Sequence, residues 1–142
     1  MQSNNQSVAP RVAQPMMVAS STSMRSAANR DAVLEDVVAL GRTRVVTEGT
    51  AIHRAGDAFR SVFYVKSGAA KRVLIQEDGR EQILGFPMPG DIVGMEAIDG
   101  GVHTTNVIAL NMCAVVEIPF EALEAFAAEN PAVARFIYHR MS

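Results

Sequence analysis

The chain has 142 residues, about half of them hydrophobic, and a formal net charge of −2, which suits one domain with a sizeable core and excludes a strongly basic nucleic-acid binder. A single cysteine, Cys113, excludes an internal disulfide and any all-cysteine metal or iron–sulfur site. No apolar run approaches the roughly 18 residues that a membrane span needs, so no membrane partner is expected.

Residues 1–28 mix Ser, Gln, Asn, Ala and Pro without periodicity and bear Arg11 and Arg25 but no acid. Such a segment cannot bury enough apolar surface to offset its ordering entropy, so a disordered tail is expected. It lacks the amphipathic stripe of a transit peptide, which leaves the cytoplasm as the expected compartment. Order should begin at Asn29 or Asp31, caps for a short helix with Val33, Leu34, Val37 and Val38 on one face and Gly41 at its end.

From Thr43 the texture turns to short β-rich runs: TRVVT, AIHR, SVFYVKSG, AKRVLIQ, EQILGF, NVIAL and CAVVEI. Gly56, Gly68, Gly79, Gly90 and Gly101 stand between them at a near-regular spacing. That pattern predicts an antiparallel sandwich or barrel rather than βαβ units. QEDGRE reads as a tight hairpin of type I′ at Asp78-Gly79. The stretch GDIVGMEAIDGGVHTTNV (90–107) has the layout of a phosphate-binding cassette: a glycine turn, a short apolar strand, an acid, a glycine-rich loop and a polar pair.

Helix returns in PFEALEAFAAE, with Phe120, Leu123 and Phe126 spaced to dock on a sheet, and again after the Asn130-Pro131 cap. The last helix carries Val133, Phe136, Ile137 and Met141 as an apolar stripe. It reads either as a helix packed back on the sheet or as one cut short that continues into a coiled coil.

The strings AGD (55–57), KSG (66–68), DGREQILGF (78–86), PGDIVGMEAI (89–98) and EIPFEAL (117–123) stand together in one order. In these the chain resembles the effector domain of the Crp–Fnr transcription regulators, and within that family the Fnr branch, over about residues 43–142. The resemblance implies a mainly β double-stranded β-helix or jelly roll, the cyclic-nucleotide-binding-like β-roll, over 29–130, with short flanking helices. Residues 131–142 would be the start of a truncated dimerisation helix. It further implies a homodimer in a longer chain, with DNA contacted only through a C-terminal helix-turn-helix not present in these residues. Either a fragment of a longer regulator or a natural form lacking the DNA-reading half is expected. Phe136, Ile137, Arg140 and Met141 become dimer-interface candidates, and Asp78, Gly79 and Arg80 candidates for contact with RNA polymerase.

The same resemblance sharpens the cassette. Cyclic-AMP-binding relatives place a glutamate for the ribose and an Arg–Ser pair for the phosphate. Here the glutamate position falls on Met95, with Glu96 one place late, and the pair falls on His103-Thr104. On a strand, a one-residue shift would turn Glu96 to the opposite face. A neutral imidazole is a poor substitute for guanidinium. Glu96, His103 and Thr104 are therefore ligand-pocket candidates without an expected cyclic-AMP site. Fnr proteins that hold an iron–sulfur cluster use a cysteine just before the EIPFE stretch, where this chain has Val116. Cys113 is expected to be a small buried apolar residue.

His53, His103 and His139 fall on a predicted strand, loop and helix, without the His-x-His spacing of a β-roll metalloenzyme. No metal set, cofactor or catalytic residue is expected, and the chain does not read as an enzyme. The expected function is the effector domain of an Fnr-like regulator of transcription. The alternative is a stand-alone module that binds a small molecule or a protein partner.

Overall fold

The computed structural model describes residues 24–25 and 27–141. The chain divides into two units, Met1–Glu35 and Asp36–Ser142. Helical backbone occupies residues 24–25 and 27–38 (α1), so it begins earlier than the expected Asn29 or Asp31. Met, Arg and Ala are good helix formers, and they outweigh the capping preference of Asn29. The rest of the expected tail lies outside the described residues.

The second unit holds two four-stranded antiparallel sheets. The first has the order β1 (Arg42–Val46), β8 (Cys113–Pro119), β3 (Ser61–Ser67), β6 (Ile92–Val93). The second has the order β2 (Ala51–His53), β7 (Asn106–Ala109), β4 (Ala70–Ile75), β5 (Glu81–Gly85). Seven of these strands coincide with the β-rich runs and the eighth, β6, with the apolar pair of the cassette. The antiparallel architecture expected from the turn spacing, and the mainly β roll that the resemblance implies, are the observed fold.

The core lies between the sheets. Val46, Phe63, Val93, Cys113 and Val115 come from the first sheet, and Ile52, Ala70, Val107 and Ala109 from the second. Strand β8 is buried on both faces, because Val116 and Ile118 are buried on its opposite side. Cys113 is fully buried and donates its thiol to the Ala69 carbonyl at 3.2 Å. Burial pushes its pKa up, so it behaves as the small apolar residue expected.

The turn glycines act by conformation. All five regularly spaced glycines have φ between 74° and 99°, the left-handed region. Gly68 is the tightest: a Cβ there would lie 2.5 Å from the Met112 carbonyl oxygen. Gly41 works differently. Its φ is ordinary, and a Cβ would collide with the Glu117 carbonyl of β8. It permits close approach of the chain to the sheet rather than a left-handed helix cap.

The β4–β5 hairpin departs from the expected type I′ turn, which needs positive φ at Asp78. No non-glycine residue among those described has positive φ. Instead the Gly79 amide donates to the Gln76 carbonyl at 2.9 Å, closing a turn over Glu77-Asp78, and Gly79 alone takes φ 84°. This is the longer loop in which one glycine after the turn absorbs the twist.

Helices α2 (Phe120–Glu129) and α3 (Pro131–Met141) follow β8 directly. Leu123 and Val133 are fully buried, and α2 packs on β8 and β3. The Asn130 side-chain oxygen accepts from the amides of Ala132 (3.1 Å) and Val133 (3.4 Å), the cap read from Asn-Pro.

Candidate functional site

The cassette does not continue as a strand past Val93. Gly94 takes φ 99°, and Met95–Ala97 form a single 3-10 turn. The facing argument made for a strand therefore fails. On the turn, Glu96 reaches the loop ahead of β7, where the three ligand-pocket candidates meet. Glu96 Oε1 lies 3.1 Å from His103 Nδ1, and Glu96 Oε2 accepts from the Thr104 amide at 3.0 Å and its hydroxyl at 3.5 Å.

A fourth member joins that was not among the sequence candidates. His53 Nε2 lies 3.6 Å from Glu96 Oε1, and the His53 and His103 rings stack with centroids 4.0 Å apart. The AGD turn explains how they meet. The Gly56 amide donates to the His103 carbonyl at 2.8 Å, and the His103 amide donates to the Asp57 carbonyl at 2.9 Å. Two distant segments thus share one short ladder, which sets His53 at the end of β2 beside His103. Phe63 stacks behind His53 at 6.0 Å, and Phe59 meets His103 edge-on at 5.7 Å. The only sequence signal was the strand position of His53. A three-residue strand with a register irregularity between Ala51 and His53 does not reveal its face.

Burial shapes the electrostatics. His53 is lowered to about 4, first by burial and then by the neighbouring His103, against the opposing pull of Glu96. Burial works to raise Glu96, but the Thr104 amide, the His103 hydrogen bond and the two imidazoles together hold its carboxyl below the usual range. At neutral pH the cluster is therefore a neutral His53 beside a Glu96 carboxylate.

Beside Glu96 opens a cleft of about 380 Å³, lined by Arg72, Ile92, Met95, Glu96, Asp99 and Arg140. Sequence reasoning missed Arg72, which β4 delivers from the other sheet. Arg140 stacks over Phe136 at 5.0 Å and donates to the Gly90 carbonyl at 3.4 Å. Of the dimer-interface candidates, Phe136 and Ile137 are half-buried, Arg140 is occupied by its own domain, and the Met141 side chain lies outside the described residues. Asp78 and Arg80 pair with each other at 2.6 Å across the exposed hairpin tip that includes Gly79. His139 lies on α3, apart from the other two histidines in the sequence order of elements.

A model of the cyclic nucleotide-binding domain family matches residues 35–130. The chain belongs to that family. It is 39% identical over 113 residues to the transcriptional activator protein Anr of Pseudomonas protegens, covering 77% of this chain and 46% of that protein. It is 37% identical over 101 residues to the fumarate and nitrate reduction regulatory protein of Escherichia coli, covering 71% and 40%. The chain thus spans less than half the length of these curated relatives, which are Crp–Fnr regulators. Among solved structures, the c-di-GMP-responsive regulator CLP of Xanthomonas campestris aligns with TM-score 0.71 at 24% identity, over 78% of this chain and 55% of that one. The catabolite activator protein of Thermus thermophilus aligns with TM-score 0.70 at 21% identity, over 77% and 52%. The resemblance read from the AGD, PGDIVG and EIPFEAL strings is borne out, and these relatives are regulators rather than enzymes. Among the described residues, no helix is long and apolar enough to cross a membrane.

Proposed function

We infer that this domain is the effector part of an Fnr-like regulator of transcription that uses neither cyclic AMP nor a cysteine-ligated iron–sulfur cluster. The observation that supports this best is the cassette itself. Where a cyclic phosphate would need a forked cation, His103 is buried and turned toward Glu96, and Thr104 is spent on the same carboxylate. With Cys113 sealed in the core and Val116 before Glu117, no thiolate set is at hand. The domain acts by relaying a signal, not by catalysis, and works in the cytoplasm.

In this reading α3 continues into a two-stranded dimer seam that uses Phe136, Ile137 and Met141, DNA is bound through a further C-terminal segment, and the Asp78–Arg80 hairpin touches RNA polymerase. Deleting the gene in its host and sequencing transcripts tests it. A defined set of promoters should change and recover on complementation, and the protein expressed from its natural gene should be captured on their DNA. An unchanged transcriptome would overturn the reading. A small-molecule module is the second reading, favoured by the cleft that Arg72 and Arg140 flank beside Glu96 and Asp99.

A further inference from the structure

His53 is buried on β2, and its ring nitrogens make no hydrogen bond of good geometry, the Thr105 backbone offering one of them only a weak contact. Orphaned polar atoms in a folded interior call for an explanation. Facing Nε2 at 3.6 Å is Glu96 Oε1, which also faces His103 Nδ1 at 3.1 Å. The second carboxylate oxygen is held by the Thr104 amide, so the first is left aimed between the two imidazoles.

We propose that His53 Nε2, His103 Nδ1 and Glu96 Oε1 form a three-ligand site for a divalent first-row transition ion of the Zn²⁺ type. Zn–N and Zn–O bonds of about 2.0–2.2 Å give a tetrahedron with edges of roughly 3.3–3.5 Å. The two carboxylate–imidazole separations, 3.1 and 3.6 Å, bracket that edge, and each of the three residues offers a donor atom within 4.8 Å of the others'. Two imidazoles with one carboxylate favour such an ion over Mg²⁺ or Ca²⁺, which prefer oxygen donors.

The rings stack 22° from parallel with centroids 4.0 Å apart, so an ion would swing the imidazoles apart to aim their in-plane lone pairs at it; the other surroundings suit a metal centre. The Thr104 amide fixes the carboxylate as an outer-shell donor does, and Phe59 and Phe63 wall the imidazoles. Both histidine side chains are at most 3% exposed, whereas Glu96 keeps 26% of its side chain accessible. Three protein ligands with one exposed side leave a fourth position for water or an outside ligand. The ion would tie together β2, the 3-10 turn and the loop ahead of β7. This inference rests on side-chain geometry and stands whether or not the domain regulates transcription.

The test is titration of the chelator-stripped 142-residue chain with Zn²⁺ by calorimetry, and with Co²⁺ as a spectroscopic probe. One equivalent should bind, the Co²⁺ form should show the intense visible bands of low coordination, and the melting temperature should rise with metal concentration. His53→Gln and Glu96→Gln should each weaken binding at least tenfold, while Cys113→Ser and His139→Gln leave it unchanged. Circular dichroism establishes that each variant is folded. Glu96→Gln decides the matter if a histidine variant unfolds, because its amide oxygen can still accept from Thr104. Absence of saturable uptake of either ion would overturn the proposal, as would uptake undiminished in folded Glu96→Gln or lost only in Cys113→Ser or His139→Gln.

Discussion

His53 and His103, on β2 and on the loop ahead of β7, stack ring on ring with centroids 4.0 Å apart and share the carboxylate of Glu96. Burial, and then the neighbouring His103, disfavour the charged form of His53. The pair makes the metal-free domain sensitive to acid.

The unfolded chain binds a proton at His53 near pH 6.5, but the folded chain does so only at about 4. Between those values the unfolded state holds more protons, so stability is full above pH 6.5 and falls as pH drops toward 4. Glu96 adds a loss in the same direction below about pH 4.5, since its folded value is depressed. The His53 loss alone should be on the order of 3 kcal/mol. Urea unfolding with chelator present, repeated from pH 7.5 to 4, measures it. His53→Phe should flatten the slope between pH 6.5 and 4, and a wild-type slope retained in that variant would refute the assignment.

Gly94 guards the same pair. A Cβ there would stand 3.2 Å from His103 Cε1 and 3.6 Å from the Phe63 ring, on a backbone at φ 99°. Gly94→Ala should cost about 1–2 kcal/mol for the left-handed backbone alone and push His103 off Glu96. The imidazole resonances of His103 in an NMR spectrum should move well beyond those of His139. Unchanged His103 signals would show that the loop has room to spare.

Two substitutions, one in the core and one in a turn, gauge the fold itself. Leu123, on the buried face of α2, is 1% exposed, and Leu123→Ala should lose about 2–5 kcal/mol through the cavity left behind. Gly68→Ala should destabilise too, because its new methyl meets the Met112 carbonyl and Cys113 at φ 88°. Denaturant midpoints should fall in both with little change in slope. A near-neutral Gly68→Ala would mean that the β3–β4 turn can rearrange.

Cyclic AMP and cyclic GMP should give no calorimetric signal at millimolar concentration. The positions that would meet ribose and phosphate hold Met95 and a His103 already engaged with Glu96. Micromolar binding that vanishes in Thr104→Ala would contradict this.

Anaerobic reconstitution with iron and sulfide should leave the chain colourless. One fully buried thiol hydrogen-bonded to the Ala69 carbonyl cannot supply a thiolate set. A stable visible chromophore that disappears in Cys113→Ser would be the contrary result.

The sequence by itself determined the roll. Turn glycines at regular spacing, alternating short strands and the Asn130-Pro131 cap are local signals, and each became the element it announced because turn and cap chemistry depend on neighbours in the chain. The burial of Cys113 was legible as well, as a small apolar side chain in a β-rich run. Only the tertiary structure decided the site. Whether Glu96 faced in or out turned on Gly94 ending β6 at φ 99° and a 3-10 turn replacing a strand. The company of His53 turned on hydrogen bonds between the AGD turn and the His103 backbone, and Arg72 reached the cleft from the opposite sheet. Contacts between segments so far apart depend on how two sheets close on each other, and no local pattern records that closure.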